Sequence, residues 1–192
     1  MAAARHVGFE LTSRQLTLLK RYAAWLESEG YRSSGIGPRE LTRLERRHLA
    51  DSLLFAIGLG GSSDVWDLGT GVGLPGVPLA IALPETRFVL VDRSGRRIDL
   101  LRRAIRILDL ENCETLLGEI GDLEGPIDSF VARASLPPAE MLETAHRLLA
   151  PGGRAVMGGS WKERPRQPGW DTIEIPEDVL DHTVWLLIMR RQ

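Results

Sequence analysis

The chain has 192 residues, 43% of them apolar and 26% charged, with a formal net charge of −2. That length holds one well-packed domain with an appendage and excludes two full-sized domains; the composition is that of a soluble globular protein. The small net charge does not exclude a polyanionic partner, because arginines cluster at Arg43, Arg46, Arg47 and at Arg93, Arg96, Arg97, Arg102, Arg103, Arg106. Solvated helix faces account for any single cluster equally well.

In chain order, the first residues, MAAARHVGFE, hold no apolar run of the signal-peptide kind, and no stretch has the length of apolar residues needed to span a bilayer. A cytoplasmic protein is expected. Residues 11–29 place Leu16, Leu19, Ala23 and Leu26 at helical spacing, with Thr12 or Ser13 as the cap and Gly30 as the stop. After a turn over 31–37, Pro38 opens a second helix that runs to about Gly58 and becomes wholly apolar near Leu53 to Ile57, which predicts burial of its end against a sheet.

Strands are predicted at 64–68, 87–92, 113–117, 127–132, 153–158, 171–175 and 183–190, with helices at about 75–83, 95–109 and 137–149. This alternation implies an α/β fold with a mostly parallel seven-stranded sheet and right-handed crossovers. Between DTIEI and HTVWLLIMR there is no room for a crossover helix, so these two close the chain as an antiparallel hairpin at the sheet edge. The division expected is an N-terminal helical extension, 1–60, packed on a core, 61–192, in one structural domain. Cys113, the single cysteine, lies in an apolar strand and reads as a buried bystander, with no metal site implied. Glu163 to Gly169 reads as an exposed loop.

The stretch from Asp64 to Asp92, DVWDLGTGVGLPGVPLAIALPETRFVLVD, reads as strand, glycine turn, short helix and a second strand ending in an acid, the arrangement that holds an adenine-containing cofactor. Two patterns overlap. Gly71, Gly73 and Gly76 fit the dinucleotide spacing; Gly69, Gly71 and Gly73, with Asp67 two residues before them, fit the form typical of S-adenosylmethionine-dependent methyltransferases. The prolines decide between them. A helix starting within Gly71 to Gly73 would carry Pro78 in its interior, whereas a longer turn, with the helix starting near Pro75, leaves both prolines in the first turn, where their missing donors cost little. Asp67 would oppose a pyrophosphate but attract a sulfonium or ammonium, directly or through water. Asp92 is placed to accept hydrogen bonds from the ribose hydroxyls, a role common to both cofactor classes.

RRHLADSL (46–53), DLGTGVGLPGVPLAIALPE (67–85), LVDRSGRRIDLLRRAIRILDLEN (90–112) and VARA (131–134) resemble the RsmG (GidB) family, bacterial methyltransferases that modify N7 of a guanine in small-subunit ribosomal RNA. The resemblance covers about residues 46–134. It implies a Rossmann-like class I S-adenosylmethionine-dependent methyltransferase fold, S-adenosyl-L-methionine as cofactor, and small-subunit ribosomal RNA as partner; the sequence leaves the oligomeric state open, with a monomer favoured. Carried over, the family's cofactor contacts fall on Gly69, Leu74, Ile120, Gly121 and Arg133, joining Asp67, Gly71 and Asp92 from the fold argument. Gly121 stands where the family often has an acid, for which Glu119 or Asp122 can substitute. The family's asparagine-leucine-threonine segment is missing from YRSSGIGPRELTR, and its lysine after the fifth strand is Gly158 here, with Lys162 in the next loop.

Methyl transfer to guanine N7 is an in-line displacement by a lone pair that carries no proton, so positioning and electrostatics suffice without a strong base. Arg133, following a core strand at the carboxyl edge, is the residue expected nearest the reaction; the competing reading is a surface ion pair. His48 and Asp51, three apart on one helix face, either line the cleft or serve helix packing, and the resemblance favours the site. Trp161 with Arg164 and Arg166 either clamps a splayed nucleotide or forms a solvated loop, and the loop is the preferred reading. A methyltransferase acting on another RNA or a small molecule, and a non-catalytic S-adenosylmethionine-binding module, stand as alternatives.

Overall fold

In a computed structural model, residues 1–30, 48–159, 161, 163–180 and 182–192 are described. The chain opens with α1 (Ala2–His6) and α2 (Ser13–Trp25), followed by a π-helical turn at Leu26–Gly30. Of the two candidate caps, Thr12 is the one used: it caps α2 in a reciprocal box with Gln15. The first half of the expected second helix, 38–47, lies outside the described residues. Its apolar end is present, divided at Phe55 into α3 (Ala50–Leu54) and α4 (Ala56–Leu59), and it stops at Gly60 in the left-handed region rather than at Gly58. Gly58 lies against the sheet: a Cβ there would collide with Val156 and Ile188.

The core elements follow as β1 (Asp64–Leu68), α5 (Gly76–Ala82), β2 (Arg87–Asp92), α6 (Gly95–Leu108), β3 (Cys113–Leu117), β4 (Ile127–Arg133), α7 (Pro138–Leu148), β5 (Leu149–Gly158), β6 (Asp171–Ile175), α8 (Glu177–Leu180) and β7 (Val184–Arg190). They form a seven-stranded sheet of order β3-β2-β1-β4-β5-β7-β6. The first five strands are parallel, and β7 runs antiparallel to both β5 and β6. The terminal hairpin is thus present, with the one-turn α8 in its connection, and β7 rather than β6 attaches it to the sheet.

Strand order reverses between β1 and β4. Crossovers of one hand then place α5 and α6 on one face and α7 on the other. The buried residues follow that division with period two. Val65, Phe88, Leu90, Val131, Val156 and Leu186 join α2, α3, α5 and α6 in one core, while Leu68, Val89, Val91, Phe130, Ala132, Met157 and Leu187 join α7 in a second. The N-terminal helices are continuous with the first core: Leu19, Tyr22, Leu26 and Leu53 are fully or almost fully buried in it. Cys113 is buried in β3, where burial pushes its thiol well up. Among the described residues no helix is long and apolar enough to cross a membrane, and no group of residues is arranged to hold a metal ion.

Candidate functional site

At the carboxyl ends of β1 and β2 the chain turns twice, and the two turns are tied together. Gly69 and Thr70 donate their N–H groups to the Val91 carbonyl, each at 2.9 Å. Gly71 N–H reaches Asp92 Oδ2 at 3.0 Å; Ser94 N–H reaches Oδ1 of the same carboxylate at 2.9 Å. Arg97 adds an ion pair at 3.3 Å, so the buried Asp92 joins the glycine turn to the first turn of α6. The turn is long and α5 begins after Pro75, which leaves Pro78 at its third position among the orphan donors. This is the geometry predicted from the proline spacing.

Asp67 is wholly buried under the turn. Its Oδ2 accepts the Thr70 hydroxyl at 2.6 Å and the Gly76 N–H at 2.7 Å, capping α5. Among the described residues Oδ1 has no hydrogen-bond partner. Burial pushes its pKa up to about 6, opposed by the two hydrogen bonds and by Arg133.

Beside the turns lies an open cavity of about 720 Å³, within the range of small-molecule sites. Of the residues singled out from the sequence, Gly69, Asp92, Ile120, Gly121 and Arg133 line it. Asp67, Gly71 and Leu74 are not part of its lining: Asp67 supports the turn from below, Gly71 is held by Asp92 beside the cavity, and the Leu74 side chain is packed in the first core. His48 and Asp51 do not line this cavity. Of the two acids beside Gly121, Glu119 lines it and Asp122 does not.

Arg133 ends β4 with the same parity as Val131, on the sheet face covered by the N-terminal helices. Its side chain is half-buried at the cavity; burial lowers its pKa, and Asp51, Asp67 and Tyr22 act against that shift. Asp51 belongs to this group through its charge, and His182 Nε2 approaches Asp51 Oδ1 at 3.8 Å. The Ala134 that follows has φ 53, and Ser135 beyond it packs so closely on Gly69 that a Cβ there would overlap it.

Several residues at this site carried no signal in the sequence. Tyr22, wholly buried on α2, donates its hydroxyl to the Val72 carbonyl inside the glycine turn at 2.6 Å. Arg147 on α7 donates to the Ile120 carbonyl at 2.8 Å and to that of Leu123, fixing the 3-10 turn at Ile120–Asp122. Neither spacing nor composition links them to a turn tens of residues away. Trp161 packs against the second core, and its ring lies 3.0 Å from where a Gly159 Cβ would stand, while Arg164 and Arg166 are exposed. Gly158 also has a steric cause: a Cβ there would run into the Phe55 ring.

The residues present fit S-adenosylmethionine. At Gly71 no atom lies within 4 Å of a virtual Cβ, so the turn leaves open space toward a ligand, and beside it are an apolar side chain, Ile120, and a buried carboxylate, Asp92.

A family model described as GidB, rRNA small subunit methyltransferase G, matches residues 15–165. Curated relatives include the ribosomal RNA small subunit methyltransferase G of Chlorobaculum tepidum, 38% identical over 83% of this chain and 76% of that protein. That of Klebsiella pneumoniae is 33% identical over 88% of this chain and 84% of its own. Among solved structures, a SAM dependent methyltransferase from Aquifex aeolicus superposes with a TM-score of 0.60 at 18% identity, covering 79% of this chain and 93% of that one. TrmN from Thermus thermophilus gives 0.53 at 18% identity, covering 73% and 49%. These two likenesses concern the fold alone.

Proposed function

The chain belongs to the rRNA small subunit methyltransferase G family and is an S-adenosylmethionine-dependent methyltransferase, and we propose that its acceptor is N7 of a guanine in small-subunit ribosomal RNA. The observation that carries the reading is the cavity at the β1/β4 reversal, bounded by the glycine turn, Asp92 and Arg133.

S-adenosylmethionine supplies an electrophilic methyl group on a sulfonium. The protein's own residues do the rest. Asp92 would accept from the ribose hydroxyls through lone pairs left by its backbone bonds, and Ile120 would pack on the adenine, with Gly121 and Glu119 beside it. Gly69 and Gly71 would present backbone to the amino-acid tail, with Leu74 holding the turn from the core side. Asp67 would act on the tail's positive charge from below the turn. Arg133 would orient the guanine or the cofactor through its planar fork, with Asp51 and His48 on the adjoining helix face. Guanine N7 is an acceptor whose lone pair bears no proton, so no general base is required of these residues.

The helical extension, 1–60, and the core, 61–192, work as one structural domain, a reading supported by the core they share. A cytoplasmic location and a monomeric state are proposed with it.

The test is methyl transfer from labelled S-adenosylmethionine to small-subunit RNA from cells lacking the modification. Label in guanine N7, lost in Asp92→Ala, is the expected result. A folded, cofactor-binding protein that labels a small molecule or another RNA in cell extract, and not this one, overturns the assignment.

A further inference from the structure

The glycine turn is held by its own residues, by Asp67 and by the adjoining end of β2, with one further contact supplied from another element. Its donors go to Val91, Asp92, Thr70 and Asp67. The carbonyl of Val72, at the centre of the turn and outside any strand ladder, accepts instead from Tyr22 Oη, fifty residues earlier in the chain. The contact is tight. Gly73 has φ +97, and a Cβ there would lie 2.7 Å from the Tyr22 hydroxyl and 2.6 Å from Val77 Cγ2, so the turn backbone rests directly on the phenol. The ring has little room to shift: it is wholly buried and stacked on Trp25, with centroids 5.9 Å apart and planes 11° from parallel. Burial also keeps the hydroxyl protonated and thus a donor.

We infer that Tyr22 is a positioning residue for the cofactor: by holding the Val72 peptide it fixes the path of Gly69 to Gly71 along the cavity, which makes α2 part of the cofactor site. The inference rests on the assignment of S-adenosylmethionine to that cavity. A buried carbonyl that loses its donor turns toward another partner or toward water, and either movement displaces the neighbouring peptides.

The experiment is S-adenosylmethionine binding to the full chain by calorimetry, without RNA. Tyr22→Phe keeps the ring and its stacking and removes only the donor; its Kd rises about fivefold or more, while kcat at saturating cofactor and KM for RNA change less than about twofold. Leu19→Ala, a cavity in the same helix, is the control for loosened packing and leaves Kd within about twofold. A Tyr22→Phe protein with unchanged Kd, or a Leu19→Ala protein with an equal loss, overturns the inference. Hydrogen exchange on the unmodified protein gives a reading that needs no variant. Cofactor slows exchange in α2 together with the turn; protection confined to the turn overturns the coupling. A chain that binds no cofactor overturns both the inference and the reading beneath it. Cofactor binding without RNA methylation overturns the acceptor alone, and the Kd comparison still decides the role of Tyr22.

Discussion

Asp67 Oδ2 lies 2.7 Å from the Gly76 amide nitrogen, so one buried carboxylate both starts α5 and closes the glycine turn through Thr70. Its pKa, raised by burial from 3.8 to about 6, makes it a pH-dependent element of stability. The folded state binds the proton more tightly than the unfolded chain. The stabilisation from that proton is therefore complete below about pH 4, declines as pH rises and is gone above about pH 6, with an amplitude of about 3 kcal/mol. Asp67→Asn lacks this dependence. Denaturant unfolding at pH 4.5 and 7 is expected to show the variant gaining on the wild type by about 2 kcal/mol at the higher pH; an unchanged difference contradicts the assignment.

The same carboxylate links cofactor binding to protons. A sulfonium and an ammonium in the cavity favour its ionised form, so binding at pH 6 releases a fraction of a proton and affinity rises with pH through that range. Calorimetry in two buffers of different ionisation enthalpy measures the release. Asp67→Asn is expected to abolish it.

Asp92 holds Gly71 and Ser94 by their N–H groups and Arg97 by its side chain. Asp92→Ala orphans the two backbone donors, at a cost of about 1–3 kcal/mol of stability, and weakens cofactor binding by about tenfold or more. Asp92→Asn keeps one acceptor and should fall between. Thermal unfolding and cofactor titration on the same samples separate the two effects.

Arg133 is a half-buried cation whose charge acts on Asp51 and Asp67. Arg133→Ala removes that positive charge, and a loss of about 1–2 kcal/mol in denaturant unfolding is expected together with loss of methyl transfer. Arg133→Lys restores charge but not the planar fork; stability should return further than kcat does.

Gly158 and Phe55 occupy one space. Gly158→Ala is expected to cost about 1–3 kcal/mol, and Phe55→Ala to absorb most of that cost, giving a coupling of about 1 kcal/mol or more in a double-mutant cycle. If the two costs simply add, the ring is not what excludes a side chain there. Should Phe55→Ala admit Gly158→Lys, methyl transfer by that double variant tests whether a lysine there still serves the reaction.

What the sequence determined by itself was local: the alternation of strands and helices, a cap at Thr12 or Ser13 before α2, and a turn long enough to leave Pro75 and Pro78 where a helix tolerates them. Such features depend on residues a few positions apart, and their chemistry is visible in order along the chain. The tertiary structure decided which side chains share the cavity. Asp92 and Arg133 reach it because the order reversal puts their strand ends on either side of β1, whereas Leu74 enters the core, and Asp67 shares the strand parity that turns Arg133 toward the N-terminal helices. Tyr22, Arg147 and the Phe55 ring against Gly158 act across fifty, twenty-seven and about a hundred residues of chain. No local pattern encodes them, because each is fixed by how helices lie on a sheet rather than by the spacing of residues within one element.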